Sequence, residues 1–198
     1  MGDFFERVVD LEVTAEEAGP LAGRMVDWMV AEGILTREMT KDAMYSLYVD
    51  LGHEPGPDWA RAVADASDRT WHPGPVAVVV GRHHHVGGQG QDVADSATCP
   101  RCGTRTAVID HPQSFEPDDE VWQPFRDGIE TWRATGRGDA ACPACAVLVP
   151  VTEWEFGPGF DLGALAFDFW GWPPLSVRFL AEFRARLGHR TEEQSGKF

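Results

Sequence analysis

Two cysteine pairs constrain this chain more than any other feature. They are Cys-Pro-Arg-Cys at residues 99–102 and Cys-Pro-Ala-Cys at residues 142–145. A two-residue gap allows a tight turn to direct both sulfur atoms of a pair to one point, and two such pairs supply four thiolates to one tetrahedral ion. The fold must therefore bring these two distant segments together. We predict a bound Zn²⁺ with the ligands Cys99, Cys102, Cys142 and Cys145.

Both pairs resemble the zinc knuckles of the zinc-ribbon class. The resemblance covers residues 99–110 and 140–156, and it implies that the four cysteines are zinc ligands. Residues 103–141 separate the pairs, whereas ribbons usually have about 15–20 residues between them. We expect a helical insertion at 117–135 to fill that interval, because its apolar residues recur at helical spacing. A zinc ion with four cysteine ligands has no open position for water or substrate, so its role is structural.

Other uses of the cysteines stay open. A Cys-Pro-x-Cys sequence also resembles the redox pair of glutaredoxin-like proteins, whose first cysteine lies at a helix N-terminus. Two disulfides are a further alternative. Zinc is favoured because strand-like residues follow both pairs and because thiols stay reduced in the cytoplasm. A zinc deaminase is excluded because the chain has no His-x-Glu motif.

The charge of the chain limits its partners. It has 32 acidic and 17 basic residues, a formal net charge of −15. A surface this acidic repels phosphate backbones and anionic lipid headgroups, which argues against nucleic acid and membranes as partners. It favours a basic protein partner, because opposite charges speed association. With neither a secretory signal nor an apolar segment long enough to cross a bilayer, the chain is expected to be cytoplasmic.

Hydrophobic periodicity predicts an α+β fold. We expect an acidic helical segment over residues 1–70, with three helices that begin near Thr14, near Thr40 and at residue 59. Residues 71–198 are expected to form an α+β body with a small mixed or antiparallel sheet that carries the zinc knuckles. The two parts are expected to form one compact unit.

Four segments of that body have a predicted structure of their own. Residues 76–80 form an apolar run that suits a buried strand, and residues 162–169 have the spacing of a short helix. Residues 175–187 predict a C-terminal helix that ends at a glycine. The polar residues 189–198 are expected to form an edge strand or a frayed end.

Two further groups of residues were candidates for a site. His83–His85 follow the predicted strand, and successive residues of an extended chain point to opposite faces, so they cannot converge on one ion. We interpret them as a solvated loop. The alternative is a binding loop, or a second metal site that a distorted loop would form with Asp92, Asp95 or His111. The aromatic residues 167–172 are interpreted as core, with a partner-facing patch as the alternative. No catalytic or cofactor-binding residue is predicted, because no serine lies in a nucleophile elbow.

These features favour a non-catalytic, zinc-stabilised acidic protein that docks a basic protein partner. A small acidic chain without catalytic motifs is similar in style to an immunity protein or antitoxin, which covers a cationic toxin. One alternative is a small enzyme with a pocket near His83–His85. A second is a zinc-ribbon regulator, which requires a basic face formed by Arg82, Arg101, Arg105 and Arg137.

Overall fold

The computed structural model describes residues 4–42, 45–68, 70–88 and 92–197. The chain divides into a first unit, Met1–Gly81 with Gly163–Phe198, and a second unit, Arg82–Leu162. It leaves the first unit within strand β4 (Val76–Val86) and returns within strand β10 (Phe160–Trp170). Helices and antiparallel strands occur together, so the expected α+β class is confirmed. Within the described residues, no helix combines the length and the apolar character needed to cross a membrane.

The first unit is built on a six-stranded sheet with the order β11-β1-β10-β4-β3-β2. Strand β1 lies between β10 and β11 and is antiparallel to both, so both of its neighbours come from the C-terminal end of the chain. The tail forms an edge strand, one of the two outcomes expected for it. Besides β4 and β10, the elements are β1 (Phe4–Asp10), α1 (Ala15–Ala31), β2 (Leu35–Thr40), β3 (Gly52–Pro55), α3 (Val177–Leu187) and β11 (Thr191–Lys197).

Helices α1 and α3 begin at capping residues that are visible in the sequence. The Thr14 hydroxyl oxygen caps α1 by accepting a hydrogen bond from the Glu17 backbone N–H at 3.3 Å, and the hydroxyl donates to the Glu17 carboxylate at 2.8 Å. The Ser176 hydroxyl oxygen caps α3 by accepting from the Phe179 N–H at 3.2 Å. Helix α3 ends at Gly188, whose φ of 75° is the left-handed conformation that favours glycine. The expected C-terminal helix is therefore confirmed.

The main core of the first unit joins these two helices to one face of the sheet. Val8 and Phe167 are paired in register on β1 and β10, and both are buried in the same cluster as Met25 of α1 and Phe183 of α3. The rings of Phe167 and Phe183 meet edge to face, with their centroids 5.0 Å apart. The aromatic side chains of residues 167–172 are at most 3% exposed. That segment is core, as the sequence indicated.

The opposite face of the sheet contains a buried ion pair. The Arg7 Nε atom lies 2.5 Å from Asp168 Oδ1, and its Nη2 atom lies 2.8 Å from Oδ2. Arg7 also donates from Nη1 to the Gln194 side-chain oxygen at 3.1 Å. Arg7 on β1 is paired in register with Asp168 on β10 and with Gln194 on β11. A forked pair of this kind, with a further hydrogen bond to Gln194, offsets much of the large cost of removing two charges from water.

The second unit packs a helix on two hairpins. Helix α2 (Asp119–Thr135) buries Trp122, Phe125 and Ile129 in a cluster that also contains Trp154. The rings of Phe125 and Trp154 are perpendicular, with their centroids 4.7 Å apart. Helix α2 thus lies between the two cysteine pairs, within residues 117–135, where the helical spacing of apolar residues predicted an insertion. The strands are β5 (Ser96–Thr98), β6 (Arg105–Ala107), β7 (Asp139–Ala141), β8 (Leu148–Pro150) and β9 (Glu155–Phe156).

The expected helical segment over residues 1–70 is largely wrong. Strand β1 precedes α1, and the helix expected near Thr40 is absent from its described residues, because Thr40 instead pairs with Gly52 across β2 and β3. Residues 43 and 44 of that expected helix lie outside the described residues. The third helix is a single 3-10 turn, Trp59–Ala62, which ends where Val63 forms a β-bridge with Leu175.

Two further expectations in the body are also wrong. The helix expected at 162–169 is part of β10, in which Ala164, Phe167 and every residue between them are buried. A strand covered on both faces can be apolar at successive positions, as this one is over residues 164–167, so a helical spacing can be picked out of it by chance. His83–His85 lie on β4 rather than in a loop, because the strand continues to Val86.

The buried ion pair gives a test of this sheet. Replacing Asp168 by Ala leaves the Arg7 guanidinium buried without its carboxylate, and we expect the free energy of unfolding to fall by about 3–5 kcal/mol. The double variant Arg7→Met/Asp168→Leu removes both charges and should recover most of that loss. Asp27→Ala, which breaks the exposed pair with Arg37, should cost less than about 1 kcal/mol. Equal losses for Asp168→Ala and Asp27→Ala in urea unfolding would contradict this assignment.

Candidate metal centre and aromatic groove

The first cysteine pair forms the turn of the β5–β6 hairpin. The Cys99 N–H donates to the Thr104 carbonyl at 3.0 Å, and the Gly103 N–H donates to the Cys99 carbonyl at 2.9 Å. The Arg101 N–H points to the Cys99 sulfur atom at 3.4 Å. Gly103 has a φ of 71°, which reverses the chain directly after Cys102. This backbone holds both sulfur atoms of the pair on one side of the turn.

The second pair repeats this geometry in the β7–β8 hairpin. The Cys142 N–H donates to the Val147 carbonyl at 3.0 Å, and the Ala146 N–H donates to the Cys142 carbonyl at 2.8 Å. Ala146 stands where the first turn has Gly103, and its φ of 59° is also left-handed. An alanine in this conformation is strained, because its Cβ approaches the neighbouring carbonyl group. The local structure is the same in both turns although the residue is not.

The two turns bring the four sulfur atoms together. The Sγ atoms of Cys99, Cys102, Cys142 and Cys145 all lie within 4.8 Å of one another, and those of Cys102 and Cys142 are 3.8 Å apart. Zinc–sulfur bonds of about 2.3 Å in a tetrahedron place sulfur atoms about 3.8 Å apart. The cysteines are free of disulfide bonds. The cluster thus has the composition and the spacing of a four-cysteine metal site.

The thiols of this cluster have opposing pKa shifts. Hydrogen bonds from the side chain and backbone of Thr104 lower the pKa of Cys102 to about 6. The Val147 backbone N–H lowers the pKa of Cys145, but burial and the neighbouring cysteines outweigh it and raise the value to about 11. The hydrogen bonds among the sulfur atoms thus favour ionisation of Cys102 and oppose that of Cys145, and four thiolates this close together would repel one another. A divalent cation among them removes this repulsion and allows all four to be thiolates.

Helix α2 fixes the position of the second turn through two glycines. A Cβ atom at Gly128 would lie 2.7 Å from the Asp139 carbonyl oxygen, and one at Gly138 would lie 1.9 Å from the Gly128 carbonyl oxygen. The helix therefore contacts the backbone that leads into β7, three residues before Cys142. The sequence analysis missed this contact, since an isolated glycine in a helical pattern is an ambiguous signal.

The histidines of β4 form no such cluster. Within the described residues, the group of side chains that could hold a metal ion consists of the four cysteines. His85 is 1% exposed, and the ring of His84 stacks on Phe160 with the centroids 5.6 Å apart. Burial lowers the pKa of His84, and the nearby Arg133 adds to that shift. His111 lies 3.7 Å from an Asp95 carboxylate oxygen and is half exposed.

A second candidate site, which the sequence analysis did not identify, is a groove in the first unit. Its volume is about 460 Å³, and we call it the Trp groove. Its lining comes from the start of β1, from the chain between β3 and β4 and from the turn after β10, which explains why no local motif marks it. The lining residues that bear on its chemistry are Phe4, Trp59, Trp71, Trp172, Asp65 and Asp68.

The indole rings of the Trp groove are held by their polar edges. The Trp71 Nε1–H donates to the Gly171 carbonyl at 2.7 Å, and the Trp172 Nε1–H donates to the Gly74 carbonyl at 2.9 Å. The ring of Trp59 meets that of Trp172 edge to face at 5.9 Å. Trp172 is 3% exposed and Trp71 is 42% exposed. One ring is thus part of the core, and the other remains accessible to solvent.

The carboxylates at the Trp groove are kept ionised by local turns. The backbone N–H of Ser67 donates to Asp65 at 2.8 Å and, together with the Ser67 hydroxyl, lowers its pKa. The hydroxyl and the backbone N–H of Thr70 donate to Asp68 at 2.6 and 2.9 Å and lower its pKa. Burial raises the pKa of Glu6, which also lines the groove. The groove therefore combines aromatic rings with fixed negative charge.

Comparison of the chain with protein-family models, with curated proteins and with solved structures gives no match. What the site can do is therefore argued from its geometry and chemistry alone.

The sulfur cluster predicts that the second unit depends on a metal ion. Replacing Cys142 by Ser removes a buried ligand, and we expect the variant to lose its ion and to melt at a markedly lower temperature. Native mass spectrometry and thermal unfolding measure the two effects. Ala141→Ser places the same side chain on the adjacent exposed residue and serves as the control. An unchanged melting temperature for Cys142→Ser would refute a structural metal site.

The strained alanine predicts a stabilising substitution. Glycine adopts a positive φ without the steric cost that alanine incurs, so Ala146→Gly should stabilise the metal-bound protein by about 1 kcal/mol. Ala144→Gly lies in the same turn at a residue without a positive φ and should be neutral or destabilising. Chemical unfolding of both variants measures the difference, and a loss of stability in Ala146→Gly would contradict the turn geometry.

Proposed function

We propose that the protein is a non-catalytic binding protein that a structural zinc ion stabilises and that docks a basic protein partner. The observation that carries the proposal is the Trp groove, in which accessible aromatic surface and ionised carboxylates share one concave face. Aromatic residues are enriched at the energetic centres of protein interfaces. Carboxylates beside them select a partner of positive charge.

The distribution of charge supports a basic partner. The first unit has 19 acidic and 11 basic residues, and the second has 13 and 6, so their formal charges are −8 and −7. Acidic excess on both units attracts a cationic protein over a distance of about one Debye length, roughly 8 Å at physiological salt. Long-range attraction brings the partner to the surface, and contacts with the Trp groove then hold it there.

The zinc ion has a structural role in this proposal. Thiolates favour zinc or iron–sulfur clusters, and a site of four cysteines around one point suits tetrahedral zinc. Four protein ligands leave no position for a substrate, so the ion catalyses nothing. Its binding contributes on the order of 10 kcal/mol to the folding of the segment that holds it. It would join the β5–β6 hairpin to the β7–β8 hairpin within the second unit.

An inhibitor of the immunity or antitoxin type is the specific form of this proposal. Such a protein covers a cationic toxin with a complementary acidic surface and needs no chemistry of its own. The alternatives have less support in the geometry. Arg101, one of the residues that a zinc-ribbon regulator would use, lies 2.7 Å from the Glu153 carboxylate. Arg105 donates to the Ser96 hydroxyl at 2.9 Å.

Native mass spectrometry of the tagged protein, gently purified from its own host, tests the proposal. We expect one zinc ion per chain and a stoichiometric partner protein with a high isoelectric point, which sequencing of the released partner identifies. The partner should be lost from a variant in which Asp65 and Asp68 are both replaced by Asn. It should stay bound to Asp42→Asn/Asp50→Asn, which changes the net charge equally at exposed positions outside the groove lining.

Two results would overturn the proposal. One is an acidic partner or a retained small-molecule substrate in place of a basic protein, since either would point to a different kind of site. The other is a basic partner that both double variants lose equally, because binding would then depend on total charge rather than on the groove.

A further inference from the structure

We infer that the Trp groove binds an arginine side chain of the partner and discriminates against lysine. The inference rests on the proposed function and adds the chemistry that the groove recognises. It depends on three features of the described residues: the orientation of the indole rings, the fixed ionised carboxylates and the size of the cavity.

The orientation of the rings favours a planar cation. Trp71, which is 42% exposed, uses its indole N–H to hold the Gly171 carbonyl group, so its contribution to the groove is aromatic surface rather than a hydrogen-bond donor. A guanidinium group stacks on such surface through its flat face and is weakly hydrated. A lysine ammonium is compact and strongly hydrated, and it would lose more of its hydration among these rings.

The carboxylates supply the second half of the recognition. Asp65 and Asp68 lie three residues apart, and each has one oxygen atom, Oδ1, that accepts hydrogen bonds from its own turn. These turns fix the orientation of the side chains before any ligand arrives, which lowers the entropic cost of binding. The forked N–H groups of arginine match carboxylate oxygens with a geometry that lysine cannot reproduce.

The size of the cavity indicates a side chain with its flanking residues. A volume of about 460 Å³ falls within the range of small-molecule sites, roughly 300–1,000 Å³, and is larger than one guanidinium group requires. Phe4, at the start of β1, is 51% exposed and already has the Lys197 ammonium 5.5 Å from its ring centre. The groove thus has a cation at one aromatic ring, and the exposed ring of Trp71, with the half-buried Trp59 also in the lining, provides the surface for the guanidinium.

Four labelled octapeptides that differ in one residue type test the inference. Glycine alternates in them with arginine, lysine, citrulline or trimethyl-lysine, and fluorescence anisotropy at physiological salt gives each dissociation constant. We expect the arginine peptide to bind about tenfold more tightly than the lysine peptide, the size of one desolvated cation–π contact. Citrulline keeps the planar shape without the charge, and its peptide should bind at least tenfold more weakly than the arginine peptide.

Variants of the full chain locate the binding. Trp71→Ala should weaken the arginine peptide about tenfold, and Trp71→Phe should recover part of that loss. Phe115→Ala removes an aromatic side chain that is 78% exposed in the second unit and should have no effect. Asp65→Asn/Asp68→Asn should weaken binding several-fold more than the matched double variant Asp42→Asn/Asp50→Asn. Arg69→Gln is measured beside them, because Arg69 follows Asp68 in the sequence and lies outside the described residues.

The outcomes separate this inference from the proposed function. Equal affinity for the arginine and lysine peptides, or an unchanged affinity in Trp71→Ala, would overturn the arginine site. In that case a basic partner found by mass spectrometry would still support the proposed function. Tighter binding of the trimethyl-lysine peptide than of the arginine peptide would assign the groove to another ligand and overturn the inference. The inference would also be overturned if the arginine peptide bound to the Arg69→Gln variant but not to the unsubstituted chain.

Discussion

Strand β1 organises the first unit, because both of its neighbours come from the other end of the chain. Its pairing with β10 and β11 requires residues near 5 to meet residues near 170 and 195. Closing so long a loop costs chain entropy, and this cost arises before the contacts between the paired strands can compensate it. Gln194, Arg7 and Asp168 form a hydrogen-bonded row across the three strands. This row fixes the register of the pairing, because a shift by one residue would separate Arg7 from Asp168 and leave a buried charge without its partner. The whole second unit lies in the loop that this pairing closes.

The second unit meets a different constraint. Its strands β5 to β9 have three residues or fewer, too few to stabilise a sheet by backbone pairing alone. The aromatic side chains of α2 supply part of what is missing, and a metal ion bound by the sulfur cluster would supply more. Four thiols within 4.8 Å repel one another when ionised and satisfy few hydrogen bonds when neutral. A metal ion turns this unfavourable arrangement into the strongest crosslink available to a chain without disulfides.

In the proposed function, the two candidate sites have separate roles. The cysteine cluster is closed by its own ligands, so it can stabilise the second unit but cannot act on a substrate. The Trp groove is open, and its indole edges and carboxylates are already held by the first unit. Preorganisation of this kind is typical of recognition, since the groups need little rearrangement when a partner arrives. On this proposal, stability and binding depend on different residues and can be changed separately by mutation.

The sequence by itself determined the features that depend on close neighbours along the chain. The cysteine turns, the helix cap at Thr14 and the end of α3 at Gly188 each involve residues within five positions, so local chemistry was enough to predict them. Only the tertiary structure decided that residues 162–169 are strand and that His85 is buried. Both outcomes depend on which faces of the sheet are covered, and an apolar run has the same composition in either structure. The Trp groove was also beyond the sequence, because Phe4, Trp71 and Trp172 become neighbours only when long-range strand pairing has folded the chain.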